Sequence, residues 1–362
     1  MRTYAKAGVN RKLREKAKKF LSNFELTFRF SKYGKIIKTP FNFLYPISKD
    51  IYQVKTSDGV GTKVLLTDLA KKHDTIGIDA IAMVVNDCLR SGAKPIALTN
   101  IIDIKKSEPK LLKEIQKGLM AGAKEAECPI VGGEIADLPE LLNTTYYINC
   151  DCLGQVEKDK IISGEKIKPG DIIIGFGSSG IHSNGLTLAR KVLFKKWGGK
   201  YDAFVIPEGF KKPLIFECLE PTKIYVKPFL KVAEKFELLA AVHITGDAYL
   251  KFKKLYPVKS FAKGERLARR GFNRVNFGFE FFNFKPPPIF KLIQKAGKIN
   301  LREMFSVFNM GWGFAIIVNK VNTKGVLDIL GKERIQAEVI GKVIKEKKII
   351  IRYQDSKIFL WS

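Results

Sequence analysis

The stretch IYQVKTSDGVGTK, residues 51–63, decides how the chain is read. Ile51 to Thr56 reads as a short strand, and it runs directly into Ser57-Asp58-Gly59-Val60-Gly61-Thr62-Lys63, a tight turn with two glycines between a carboxylate and a lysine. Such a turn supplies what a nucleoside triphosphate needs: N–H groups opened by Gly59 and Gly61, a cation at Lys63 and a metal-binding carboxylate at Asp58. It lacks the G-x-x-x-x-G-K-[ST] spacing of a Walker loop, and an ordinary strand-to-helix turn would use the same residues.

Working outward, the pattern predicts a helix from about Lys63 to Lys71 and a second from Asp79 to Arg90, whose Ile81, Val84, Val85 and Cys88 keep helical spacing up to Gly92. Asn86 and Asp87 interrupt its apolar character; if buried they need a partner, either a divalent cation or a hydrogen-bonded core neighbour. A strand is expected from Pro95 to Ile102, a long helix from near Ser107 to just before Cys128, a short strand into Val131-Gly132-Gly133-Glu134, and a strand of the same sheet from Tyr146 to Val156. The turn at residues 167–171 opens a strand from Ile172 to Phe176 and the Gly/Ser-rich run 177–185. The domain boundary is expected there, giving domains 1–166 and 167–362. Beyond it the pattern predicts a helix after Pro221, a strand near Ala241 to Thr245, a helix from about Pro288 to Ala296, and strands near Gly313 to Val318 and Glu338 to Val343.

The chain has 362 residues, enough for two domains, with 46% hydrophobic and 28% charged residues, which excludes global disorder. The 64 basic against 36 acidic residues leave +28, a balance that suits a phosphate-rich ligand or polymer. Of the basic residues 51 are Lys, which lacks the planar fork of a base-reading Arg, so most of the excess is expected to be solvated surface. The five cysteines form no C-x-x-C pair and suit a reducing cytoplasm. No membrane span is expected, and the basic run Arg11 to Lys19 reads as a surface helix. Against this basic background, Asp58, Asp87, Glu134 and Asp137 gather four carboxylates in the first half, for which Mg²⁺ is the natural ion. His182, in the Gly/Ser-rich turn at an expected helix start, suits either a structural cap or a catalytic group.

Taken in order, these stretches resemble the phosphoribosylformylglycinamidine cyclo-ligase (aminoimidazole ribonucleotide synthetase) family: YAKAGV at 4–9, DGVGTK at 58–63, HDTIGIDAIAMVVND at 73–87, VGGEIAD at 131–137, GIHSNG at 180–185, EPTKIYV at 220–226, HITG at 243–246 and FNMGWG at 308–313. The resemblance implies an α/β homodimer in which the N-terminal sheet pairs with its mate to form a barrel, a mixed-sheet C-terminal α/β domain, and an active site in the cleft between domains. It implies ATP and Mg²⁺ as cofactors and formylglycinamidine ribonucleotide as substrate, the amide oxygen being phosphorylated before the amidine nitrogen closes the ring. Position by position, Asp58, Gly59, Gly61, Thr62, Asn86 and Asp87 would meet nucleotide or metal, with Lys63 near phosphate. Gly133, Glu134 and Asp137 would lie on the nucleotide side, and the metal would be held by Asp58, Asp87 and Glu134. His182 with Ser183 and Asn184 would face the reacting amide, and His243, Thr245 and Gly246 the substrate; His182, Asp87 and Lys63 would be catalytic.

Two departures stand out. The segment before the first strand, residues 31–49, carries only Gly34 where the family has a glycine-rich loop, and Gly246 is followed by Asp247 and Ala248 rather than two further glycines. The stretch from Lys251 to Arg274, with nine basic residues and one acid, reads either as a solvated surface insertion or as a source of side chains that compensate for the lost glycine amides. The alternatives are another ATP-using member of the same superfamily, or a basic nucleic-acid-binding protein on a degenerate scaffold.

Overall fold

The computed structural model describes residues 3–256 and 277–361, so most of the basic stretch Lys251 to Arg274 lies outside the described residues. A basic helix α1 (Arg11–Leu21) precedes a six-stranded sheet built from β1 (Ile37–Lys38), β2 (Phe43–Pro46), β3 (Ile51–Gly59), β4 (Lys94–Ile104), β5 (Ile130–Asp137) and β6 (Tyr146–Glu157), in the order β1-β2-β3-β6-β4-β5. All neighbours are antiparallel except β4 and β5. The helices α2 (Val64–Ala70), α3 (Ile76–Leu89) and α4 (Pro109–Ala126) belong to this half. Strand β6 alternates strictly, with Tyr146, Ile148, Cys150, Cys152 and Val156 buried and the intervening residues more open.

The second half carries β7 (Ile172–Gly177), α5 (Leu186–Leu193), α6 (Leu214–Cys218), α7 (Val226–Ala233), β8 (Ala240–His243), β9 (Gly278–Phe281), α8 (Pro288–Gly297), α9 (Leu301–Val307), β10 (Trp312–Val318), α10 (Thr323–Lys332), β11 (Ala337–Ile344), β12 (Ile349–Tyr353) and β13 (Ser356–Trp361). Its seven strands run β13-β12-β9-β11-β7-β10-β8, with only β9 and β12 parallel. The architecture is therefore a mixed α/β chain with two sheets, as expected. The region from Phe277 to Pro288, where no strand was expected, contains β9; Phe279 and Phe281 flank Glu280, which is paired with Arg352 and Lys342.

Helix α3 ties the halves together. Twelve of its residues are buried, so it is apolar all round in the manner of a central helix. Thr56 on β3 donates to the Val84 carbonyl of α3 at 2.9 Å. The core around Ile81, Val84, Val85 and Leu89 is continuous with Ile174, Phe176, Tyr225 and Phe314 of the second sheet and its helices. Each such side chain contributes about 1.5–3 kcal/mol by leaving water. The other face of the second sheet packs on α5, α8 and α9, a core that also takes in Ala7 and Leu66. The first residues of the chain lie against the second half: the Tyr4 amide donates to Glu303, and Lys191 donates to the Ala7 carbonyl.

Candidate active site

The C-terminal end of α3 presents Asp87 to the end of β8. Its Oδ1 accepts from His243 Nδ1 at 2.9 Å, and Oδ2 lies 2.6 Å from the Arg90 guanidinium one turn later on the same helix. Arg90 also donates to the Asp87 carbonyl and to Asn42, while Asn42 donates to the Asp87 carbonyl at 3.0 Å and to Ser91. Burial alone would raise the Asp87 carboxyl, but Arg90, His243 and Lys251 overcome it and hold the group well below the usual carboxylate range. The imidazole of His243 is fully buried, and burial lowers its pKa to about 4 against the opposing pull of Asp87. It is therefore neutral, with its proton on Nδ1 toward Asp87, and its buried Nε2 is an acceptor without a partner among the described residues.

Asp58, at the end of β3, faces the same group. Loss of water around it, and then the charge of Asp87, raise its carboxyl pKa, while one oxygen accepts from the Gly59 amide at 2.8 Å. Gly59 packs closely, since a Cβ there would come within 2.5 Å of Asn149 Oδ1 and would push that side chain aside. Gly61 is required by a left-handed φ of +59°. Lys251 completes this side, donating to the His243 carbonyl at 3.0 Å and to the Thr245 hydroxyl. Its pKa falls to about 7, chiefly by burial.

His182 approaches from the turn after β7 with φ +64°, a conformation rare outside glycine. The Ser179 amide donates to its Nε2 at 3.2 Å, which leaves the proton on Nδ1. That Nδ1 is buried without a partner among the described residues. Burial, then His243, Lys63 and Lys223, push its pKa well down, so it too is neutral. One imidazole thus offers an unpaired donor and the other an unpaired acceptor. Asn184 reaches the same loop, its Oδ1 within 3.3 Å of where a Cβ on Gly246 would stand.

Other expected residues are drawn elsewhere. The Lys63 ammonium faces inward rather than toward a phosphate: it is fully buried, donates to Asp79 at 2.8 Å and to the Glu220 carbonyl at 2.7 Å. Asp79 also accepts from Ser183, from the Thr222 amide and from the Thr222 hydroxyl. Ser183 is thereby committed to this strut between the halves rather than to the open cleft. Asn86, fully buried, donates to the Lys223 carbonyl and accepts from the Tyr225 amide, so both ends of its amide fix the segment before α7. Thr62 pairs with Thr187 at 3.1 Å.

Gly133, Glu134 and Asp137 lie on β5, at the far edge of the first sheet. The register Asp58↔Cys150, Cys150↔Asn100, Asn100↔Gly133 sets them three strand steps from Asp58, roughly 14 Å at about 4.8 Å per step. Strand alternation turns Glu134 to the opposite face from Asp58. Asp137 accepts from the Ser107 amide and hydroxyl, holding the turn before α4. No three His, Cys, Asp or Glu side chains among the described residues converge on a metal-sized point. The expected set of Asp58, Asp87 and Glu134 is therefore not assembled within one chain.

The sequence reading missed Arg90, Asp79, Thr222 and Asn42. The i, i+3 spacing of Asp87 and Arg90 on a helix was the available signal for the first. Nothing local marks Asp79 and Thr222, which meet across 143 residues.

A two-sheet chain with this cleft defines the AIR synthase related class. Residues 42–156 match the AIR synthase related protein, N-terminal domain, and residues 168–250 and 266–354 match the corresponding C-terminal domain. Over nearly its whole length the chain is similar to phosphoribosylformylglycinamidine cyclo-ligase of Pyrococcus horikoshii, 43% identical over 97% of both chains, and of Pyrococcus furiosus, 42% identical over 97% of this chain and 98% of the relative. The chain belongs to the phosphoribosylformylglycinamidine cyclo-ligase family and is an enzyme of purine biosynthesis. The fold is shared at low identity with E. coli HypE, a hydrogenase maturation protein (TM-score 0.56, 17% identity, 85% of both chains), and with T. maritima PurL complexed with ATP (TM-score 0.54, 15% identity, 87% of this chain). The chain spans less than half the length of that PurL chain.

Proposed function

We propose that ATP phosphorylates the formyl amide oxygen of formylglycinamidine ribonucleotide in this cleft, and that the amidine nitrogen then closes the imidazole ring. An amide oxygen is a poor leaving group until phosphorylated. Phosphorylation breaks the bridging bond between the β- and γ-phosphates of ATP, releases ADP and removes the amide proton. Ring closure forms a C–N bond, expels inorganic phosphate and releases a proton from the attacking nitrogen. The observation that carries this assignment is the pair of buried neutral imidazoles with opposite hydrogen-bonding polarity. The Nδ1–H of His182 donates to the activated oxygen, and the Nε2 of His243 accepts the proton. Asp87 holds the His243 tautomer and stabilises the imidazolium that forms, in the manner of the acid in a Ser-His-Asp triad. Asn184, Thr245 and Gly246 line the substrate side.

Asp58 has an oxygen left to bind a Mg²⁺ ion carried by the nucleotide, an ion that needs only one or two protein carboxylates. Asp87, with both oxygens engaged by Arg90 and His243, and Glu134, on the far face, do not fit as further ligands within one chain. When bound, Mg²⁺ would neutralise charge on the phosphoryl oxygens. Gly59, Gly61 and Thr62 remain the nucleotide-side turn.

Homodimerisation through the first sheet is supported by its open face and edge. Ile101, on the face opposite Asp58, is 42% exposed, Val131 is 65% exposed, and β5 is an unpaired edge. A barrel formed with the mate's sheet would cover them. Five unpaired, buried cysteines suit a reducing cytoplasm, and no helix among the described residues is long and apolar enough to cross a membrane. The test is phosphate release that needs both ATP and formylglycinamidine ribonucleotide and disappears in Asp87→Ala. An undiminished rate in that variant overturns the site. RNA binding that falls steeply with salt, without phosphate release, favours the nucleic-acid reading.

A further inference from the structure

The loop after β8 holds two non-glycine residues, Asp247 at φ +67° and Ala248 at φ +38°, in the left-handed region. Side chains from elsewhere stabilise it. Arg14 donates to both Asp247 oxygens at 3.1 and 3.0 Å, and Arg11 Nε lies 3.2 Å from one of them. The Asp247 charge is thereby neutralised from the N-terminal helix and does not repel an anion approaching the loop. Lys251, one turn further on, curls back over the same loop.

The geometry at Lys251 is that of a cation with one direction left open. An ammonium carries three N–H donors. The His243 carbonyl and the Thr245 hydroxyl take two of them and fix where the head points. Asp87, the carboxylate bonded to His243 beneath it, has its oxygens engaged by His243 and Arg90. The third N–H has no acceptor among the described residues, and the side chain lies close enough to Asp87 and Asp58 for both carboxylates to act on its charge.

We propose that this third N–H of Lys251 binds a phosphate oxygen of a ligand in the cleft, so that a tethered side-chain cation does the work of backbone amides at this loop. The inference rests on the cyclo-ligase reading above, under which two ligands could supply the oxygen: the triphosphate of ATP or the ribose phosphate of formylglycinamidine ribonucleotide. An ammonium directed by two internal acceptors loses little freedom on meeting a third, which favours a defined contact over diffuse attraction.

Binding of each ligand alone is measured by calorimetry in wild type, Lys251→Gln and Lys251→Arg, with steady-state kinetics alongside. The expected result is a loss of tenfold or more in affinity for one ligand in Lys251→Gln, with the other within twofold, a matching rise in that ligand's KM, and substantial recovery in Lys251→Arg. A loss confined to ATP assigns the triphosphate; a loss confined to the ribonucleotide assigns its phosphate. Wild-type affinity for both in Lys251→Gln overturns the proposal while leaving the functional reading intact. Wild-type protein that binds neither ligand overturns both. Should Lys251→Gln not fold, acetic anhydride labelling of the wild-type protein decides the matter. Lys251 acetylation is expected to fall at least fivefold when the bound ligand is present, and unchanged labelling at saturating concentrations of both ligands overturns the proposal.

Discussion

His243 is caught between burial, which strips its charge, and Asp87, which would restore it. Burial wins, and the pKa of about 4 lies below the ordinary value of 6.5. His182 is shifted the same way, by burial first. Between those limits the unfolded chain binds more protons than the folded one, so the contribution of these two histidines to stability is complete above pH 6.5 and declines as pH falls toward 4. His243 alone accounts for roughly 3 kcal/mol of that decline, and His182 adds to it. Urea midpoints at pH 7, 5.5 and 4.5 should fall in that order. Asp87→Asn separates chemistry from folding: it removes the carboxylate that sets the His243 tautomer, so kcat for phosphate release should drop about 10²–10⁴-fold, a general-base effect. At this scale, Asp58, Asp87 and His243 were legible through the family-like segments DGVGTK, HDTIGIDAIAMVVND and HITG, whose residues the fold brings together. Lys63 was not. A lysine after a glycine turn looks the same whether it meets phosphate or a buried aspartate, and Asp79 belongs to a helix whose burial on every side no local pattern reveals.

Among the elements, α3 holds the greatest number of decisive side chains. Its N-terminal turn carries Asp79 to Lys63, Ser183 and Thr222, and its last turn carries Asn86 to the backbone before α7 and Asp87 to β8. Lys63→Met leaves Asp79 buried and unpaired and should cost about 3–5 kcal/mol in urea unfolding. Lys63→Met combined with Asp79→Leu should recover part of that loss. A phosphate-binding lysine would instead weaken nucleotide affinity and leave the unfolding midpoint in place. Helix α3 and strand β6 were readable because each has a clear period or a clean apolar run. Strands β12 and β13 were missed because a short hairpin at a sheet edge has too few residues to establish one.

For the whole molecule, the first sheet presents an uncovered face and an unpaired edge at β5, while the second is covered on both faces. Lysine introduced at Ile101 should shift sedimentation toward the monomer, since a charge set into an apolar interface is costly to bury. An unchanged dimer would place the interface elsewhere. The two-sheet architecture was legible because strand and helix signals alternate along the chain. The gathering of the carboxylates was only half legible, since Glu134 shares a sheet with Asp58 but not a face.

The continuous core across α3 also governs how a ligand can enter. Swinging one sheet away from the other would strip Asp79 of three hydrogen bonds, from Ser183 and Thr222, and expose Tyr225 and Phe314 to water. The cleft therefore admits its ligands through motion of its rim, residues 58–62 and 243–251, while the helix beneath stays still. In deuterium exchange during turnover, amides of that rim should change their rates, and those from Ala80 to Val85 should remain as slow as in the resting protein.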